Sequence, residues 1–152
     1  MRTTVVLLVT LLAGATLCFA ADANIGTWKL NEAKSKISPG SAKNTSVVYE
    51  AAGDGVKASV DGVDGQGKPT HSEWAGKFDG KDYPVTGDPN TDTRSLKKVG
   101  AHTLELTNKK DGKVTVTGRI VLAADGKSRT LTTSGTDAAG KKVKNTFVYD
   151  KQ

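Results

Sequence analysis

Thr103-Leu-Glu-Leu-Thr-Asn-Lys-Lys-Asp-Gly-Lys-Val-Thr-Val-Thr-Gly-Arg-Ile-Val-Leu122 is the stretch on which the fold turns. Leu104 and Leu106 alternate with Thr103 and Glu105. After Asp111-Gly112, residues Val114, Val116, Gly118, Ile120 and Leu122 share one face, with Thr115, Thr117 and Arg119 between them. A period of two means one buried face and one wet face. Asp-Gly supplies the positive φ that tight hairpin turns require. The stretch therefore reads as a β-hairpin with one apolar side.

The same pattern extends in both directions. Trp74, Gly76 and Phe78 alternate with Glu73, Ala75 and Lys77, and Phe147 and Tyr149 alternate with Thr146 and Val148. Further turns fall at Gly53-Asp54-Gly55, Asp79-Gly80 and Asp125-Gly126. Longer hairpin loops fit Gly62 to Lys68 and Gly135 to Lys141. About ten strands follow: 25–30, 45–52, 56–61, 70–78, 81–86, 92–99, 102–109, 113–122, 127–134 and 142–150. Consecutive hairpins make an antiparallel meander. With one apolar face, a sheet of about eight to ten strands closes into an up-and-down barrel. The expected fold class is all-β, a single antiparallel barrel. The one helical signal is Asn31, placed to cap a short turn through Glu32-Ala33-Lys34 that ends before Ser38-Pro39-Gly40.

The length of 152 residues is that of one domain. Its N-terminus reads as an export signal. Arg2 is followed by the apolar run Val5 to Leu12, extended by Ala13 to Ala20, with small residues ahead of cuts after Ala20 or Ala23. The run is short for a bilayer span of about 20 residues, and no cationic stop-transfer cluster follows it. Residues 1–20 are thus expected to be a signal peptide and 24–152 the barrel, in a secreted or periplasmic protein without a transmembrane segment after cleavage. Cys18 follows Leu17, a poor context for lipid modification, and it is the only cysteine. Cleavage leaves no thiol to act as nucleophile, redox centre or metal ligand.

Several chemistries lack their residues. His71 and His102 fall on different predicted strands, with no His-x-His and no cysteine pair, so a zinc site is not expected. No Gly-x-Ser-x-Gly is present. Glu50, Glu73 and Glu105 share no signature for glycoside chemistry. No catalytic residue, metal or cofactor is assigned, and the chain is expected not to be an enzyme. One internal echo links Gly62-Val63-Asp64-Gly65-Gln66-Gly67-Lys68 to Gly135-Thr136-Asp137-Ala138-Ala139-Gly140-Lys141. Trp74 and Phe147 each lie six residues on. No helix with Lys-Ser/Thr follows, so a phosphate loop is excluded. The echo reads as two hairpin loops of one shape.

The net charge is +6. After residue 20 every basic residue except Arg94, Arg119 and Arg129 is a lysine. Nucleic-acid binding by a small barrel wants basic residues interleaved with exposed aromatics. The aromatics here fall mostly on the apolar face, so no nucleic-acid partner is expected. Scattered lysine reads as solvated surface that protects strand edges, with weak attraction to anionic envelope polymers as the other reading.

Gly26-Thr27-Trp28, at the start of the first strand, resembles the lipocalin and calycin signature. The tract from Trp74 through Phe78-Asp79-Gly80-Lys81-Asp82-Tyr83-Pro84 to Gly87-Asp88-Pro89 is similar to a group of small secreted bacterial lipocalin-like proteins without an assigned activity. The resemblance implies a lumen that binds a small, mostly apolar molecule. It also implies an arginine from a late strand packed over Trp28, the part open to Arg119 or Arg129. Two departures stand out: no long helix follows the barrel, and the Arg-x-Tyr of fatty-acid-binding relatives reads Phe147-Val148-Tyr149.

The candidate ligand-binding residues are Trp28, Tyr49, Trp74, Phe78, Tyr83, Arg94, Phe147 and Tyr149. The aromatics are the chain's few large side chains. Arg94, an arginine in a lysine-rich chain, suggests a bidentate or stacking contact, with a structural bridge to Asp92 or Asp82 the favoured reading. Two functions are in view: a carrier of a small hydrophobic molecule, and an envelope or extracellular interaction module with a filled core and no ligand.

Overall fold

The computed structural model describes residues 22–136 and 139–152. The signal reading of residues 1–20, with Cys18, lies outside the described residues. Ten strands form one closed antiparallel barrel in which each strand pairs with its sequence neighbours and β1 pairs with β10. They are β1 (Gly26–Leu30), β2 (Lys43–Ala52), β3 (Gly55–Val63), β4 (Pro69–Gly76), β5 (Tyr83–Thr86), β6 (Thr93–Gly100), β7 (Thr103–Lys110), β8 (Lys113–Leu122), β9 (Ser128–Thr136) and β10 (Lys142–Lys151). Each expected strand is present, with no end moved by more than two residues. A single 3₁₀ turn spans Glu32–Lys34, and the Asn31 side chain accepts from the Lys34 N–H as expected of a cap. Among the described residues no helix is long and apolar enough to cross a membrane.

The Thr103–Leu122 stretch forms the β7–β8 hairpin. Asp111 (φ 49°) and Gly112 (φ 73°) both take the left-handed conformation, as a tight two-residue hairpin turn requires. One expectation fails just after it. The register jumps from Asn108↔Val116 to Lys109↔Val114, leaving Thr115 as an extra residue. Such a bulge reverses the alternation, so Val114 faces solvent at 56 % exposure instead of sharing the inner face with Val116.

Inside, period-two positions from all ten strands meet in one core. Trp28, Trp74, Tyr149 and Leu96 are its largest fully buried side chains. At one end the N-terminal segment is tied down. The Trp28 indole N–H donates to the Asn24 carbonyl (2.9 Å), and Lys151 Nζ donates to the Ala23 carbonyl (3.0 Å). Beyond β1, the chain continues along β10. Asn31 N–H donates to the Val148 carbonyl, Lys36 bridges Thr146, and Ser38 N–H donates to Asn145 Oδ1 (2.7 Å).

Candidate functional site

Strand parity brings the predicted residues together. Trp28 from β1, Tyr49 from β2, Trp74 from β4, and Phe147 and Tyr149 from β10 are all buried in the core, with Phe78 and Tyr83 packed against it. Tyr83 meets Trp74 edge-on at 6.0 Å between centroids, and Phe78 meets Tyr49 edge-on at 6.3 Å. The polar tips of these rings are satisfied. Trp74 Nε1 donates to the Arg94 carbonyl (3.0 Å), Tyr149 OH to the Asn44 carbonyl (3.1 Å) and Tyr83 OH to the Asp79 carboxylate (2.8 Å).

Arg94 makes no bridge to Asp92 or Asp82, which corrects the expectation. Asp82 pairs with Lys109 (2.6 Å), and Asp92 with Lys110 (2.7 Å) and the Asp111 N–H (2.7 Å). The reason is parity: Arg94 shares the inner face with Leu96, two residues on. Its Nε donates to Asn108 Oδ1 (2.8 Å) on the neighbouring strand.

Arg129 was not among the predicted ligand-binding residues. It is 3 % exposed. Its guanidinium carbon lies 4.6 Å from the Trp28 ring centroid, 5.0 Å from Tyr49 and 5.3 Å from Tyr149. The late-strand arginine over Trp28 is therefore Arg129. Arg119 sits on the outer wall and pairs with Glu105 (2.9 Å). A signal for Arg129 existed in the sequence, since it shares parity with Leu131 and Thr133.

Two arginines stand on the inner face, Arg94 and Arg129. Among the described residues no carboxylate lies within ion-pair distance of Arg94 or Arg129. Nε and Nη1 of Arg129 are buried without a hydrogen-bond partner. Burial pulls both arginines below arginine's usual pKa, with Tyr49 and Tyr149 opposing that shift at each of them. Asp88 also opposes it at Arg94.

Burial in turn pushes the Tyr149 hydroxyl far above its usual pKa of 10.0, with the two arginines pulling the other way. The folded protein thus holds this proton where an unfolded chain has released it. The resulting stability is complete below about pH 10 and declines as pH rises further. Tyr149→Phe is expected to flatten the dependence of the urea midpoint on pH above about pH 10, while costing about 1 kcal/mol at neutral pH for the lost hydrogen bond. An unchanged slope would show that other groups govern alkaline unfolding.

The remaining features lie outside the lumen. His71 is exposed, with Nδ1 2.7 Å from the Asp61 carboxylate, and His102 is exposed. Among the described residues no group of three or more His, Cys, Asp or Glu side chains is arranged to hold a metal. In the first of the two similar loops Asp64 Oδ1 accepts from the N–H groups of Gln66 and Lys68 (2.9 Å each). Gly67 and Gly140 share the left-handed conformation at matching positions. A recess of about 430 Å³ lies between the Glu32–Lys43 segment and the Asp64–Gly67 turn. Another of about 630 Å³ lies on the outer wall of β7–β10, lined by Thr107, Thr117, Thr130, Thr132 and Ser134. None of the eight predicted residues lines either recess.

No family model matches the chain. No curated protein matches it. A solved structure to which it is similar is a redesigned β-barrel, 14 % identical over 90 % of this chain and 97 % of that one, with a TM-score of 0.45.

Proposed function

We propose that this protein is an exported, non-enzymatic, lipocalin-like barrel that holds a small, mostly apolar molecule in its lumen. The observation that carries the reading is the convergence of five buried aromatic side chains, Trp28, Tyr49, Trp74, Phe147 and Tyr149, on one barrel interior. Aromatics make up only 5 % of the sequence, and most of them stand there. Apolar walls with a few placed polar groups are what small-molecule sites are built from. Export rests on Arg2, the apolar run and the small residues before Ala20 and Ala23.

Native mass spectrometry of the protein recovered from its host's envelope fraction tests this. A reproducible added mass is expected, lost on Trp74→Ala, and the polypeptide mass reports the cleavage point. A bare mass, with no response to hydrophobic probes, would favour the second reading: an envelope interaction module with a filled core. That reading draws on the two recesses, both of which open outside the lumen. The lysine-rich outer surface suits weak attraction to anionic envelope polymers in either case.

A further inference from the structure

The outer wall of β7–β10 differs from the opposite side of the barrel in the sign of its charge. Strands β8, β9 and β10 together hold a single carboxylate, Asp150, near the end of β10, where the Asn31 amide donates to it (2.7 Å). Arg119, Lys142 and Lys144 on the same strands are exposed. Among the described residues no carboxylate lies within ion-pair distance of Lys142 or Lys144. Strands β2–β4 hold three carboxylates, Glu50, Asp61 and Glu73. Both lysines there are paired, Lys43 with Glu32 (2.8 Å) and Lys57 with Glu73 (3.2 Å).

Register builds the recess on the basic wall. Thr107, Thr117, Ser134 and Lys144 stand side by side across β7–β10, and Glu105, Arg119, Thr132 and Thr146 form the next row. Neighbouring strands are about 5 Å apart, so the hydroxyls form a two-dimensional array. Each hydroxyl is both donor and acceptor. Arg119 and Lys144 line the same recess of about 630 Å³. One nitrogen of Arg119, Nη2, donates to Glu105 (2.9 Å). An exposed pair of this kind contributes little to stability, so its guanidinium can take a second carboxylate.

We infer that this wall docks a carboxylated polysaccharide, whose carboxylates meet Arg119 and Lys144 and whose hydroxyls meet the threonine array. The inference goes beyond the lumen reading and does not depend on it. Charge complementarity selects an anionic partner. The array selects among anions. No aromatic side chain lines the recess, so it offers no stacking platform for nucleic-acid bases. An extended peptide docks by adding a strand to a sheet edge, and β7–β10 are paired on both sides. Sugar rings carry hydroxyls that donate and accept across a face, as the wall does.

The test uses the purified protein and three probes: oligogalacturonate, its methyl ester, and poly-L-glutamate of similar length. Calorimetry gives the dissociation constants. Oligogalacturonate is expected to bind at least about tenfold more tightly than either of the others. Arg119→Gln combined with Lys144→Gln should weaken it at least about tenfold, and Lys57→Gln on the opposite wall less than about twofold. Thr117→Val combined with Thr132→Val keeps charge and shape and removes two hydroxyls, so it should weaken oligogalacturonate at least about fivefold. All four of the substituted wall residues are exposed, and circular dichroism checks that each variant is folded. Methyl ester binding as tightly as the acid would overturn the proposal, because charge would then play no part. Poly-L-glutamate binding as tightly would overturn the choice of a sugar chain. Full binding by either wall variant would overturn the site, and so would no binding by any probe. None of these outcomes bears on the lumen reading, which native mass spectrometry decides separately.

Discussion

Trp28→Ala is expected to lower the melting temperature by on the order of 10 °C or more. Trp28 is fully buried, at 0 % exposure. Truncating a core tryptophan to alanine costs about 3–5 kcal/mol through lost transfer energy and the cavity left behind. At this chain length each kcal/mol moves the melting point by roughly 3–4 °C. Two further losses act in the same direction. The indole N–H no longer anchors the Asn24 carbonyl, so the N-terminal segment is released from the barrel end. Arg129 also loses its closest ring, at 4.6 Å, and its charge is then less compensated. Trp28→Phe separates these contributions. It keeps a ring beneath the guanidinium and loses the indole hydrogen bond, so it should melt between the other two proteins. Circular dichroism melts of the three would decide the matter. An alanine variant melting within a few degrees of the parent would mean that the stacked arginine is not structural.

Gly87→Val should destabilise the protein by about 4 kcal/mol, combining backbone strain of about 1–3 kcal/mol with overpacking of similar size. Gly87 has φ +82°, where a β-branched residue is a severe outlier. A Cβ there would also stand 2.4 Å from the His71 carbonyl oxygen, a backbone atom that cannot swing aside. The position matters because β5 is the shortest strand, four residues joined to β4 and β6 by two register pairs on each side. Pro84, within it, has no N–H to give. Pushing Gly87 away from His71 strains that seam directly. Gly40→Val is the matched control: it has φ +73° and nothing within 4 Å of the added Cβ, so it carries the strain without the clash. Urea unfolding should therefore rank Gly87→Val well below Gly40→Val. Equal losses would show that the contact with His71 is relieved by a small loop movement.

The strands were legible because each repeats a local rule. Alternation such as Leu104, Leu106 and the Asp111-Gly112 turn needs no knowledge of the rest of the chain. Val114 escaped because a bulge at Thr115 changes parity without leaving a composition signal. Arg94 was legible as unusual but was given the wrong partner. The nearest acids in sequence attracted the reading, whereas Asn108 is its neighbour across β6–β7. The Arg129 stack was least legible. Its rings come from β1, β2 and β10, and only barrel closure sets them around one guanidinium. The outer recesses had no sequence counterpart, since they arise where loops and wall side chains meet.

The seam between β1 and β10 bears on when this chain can fold at all. Leu30 pairs with Tyr149 and Trp28 with Lys151, and the Gln152 N–H donates to the Thr27 carbonyl (3.0 Å). A polypeptide leaving the ribosome delivers Trp28 and Tyr49 early and Arg129 and Tyr149 late. At about 5–20 residues per second the delay is on the order of ten seconds. Throughout it, β1 has an open edge, and unpaired edges invite association with other chains. A nascent chain therefore waits as an incomplete sheet until its final strand arrives. Deleting that last strand would leave a molecule with two open edges and without one of the three rings around Arg129. Such dependence on the final strand makes closure a single late step that joins the two ends of the sheet.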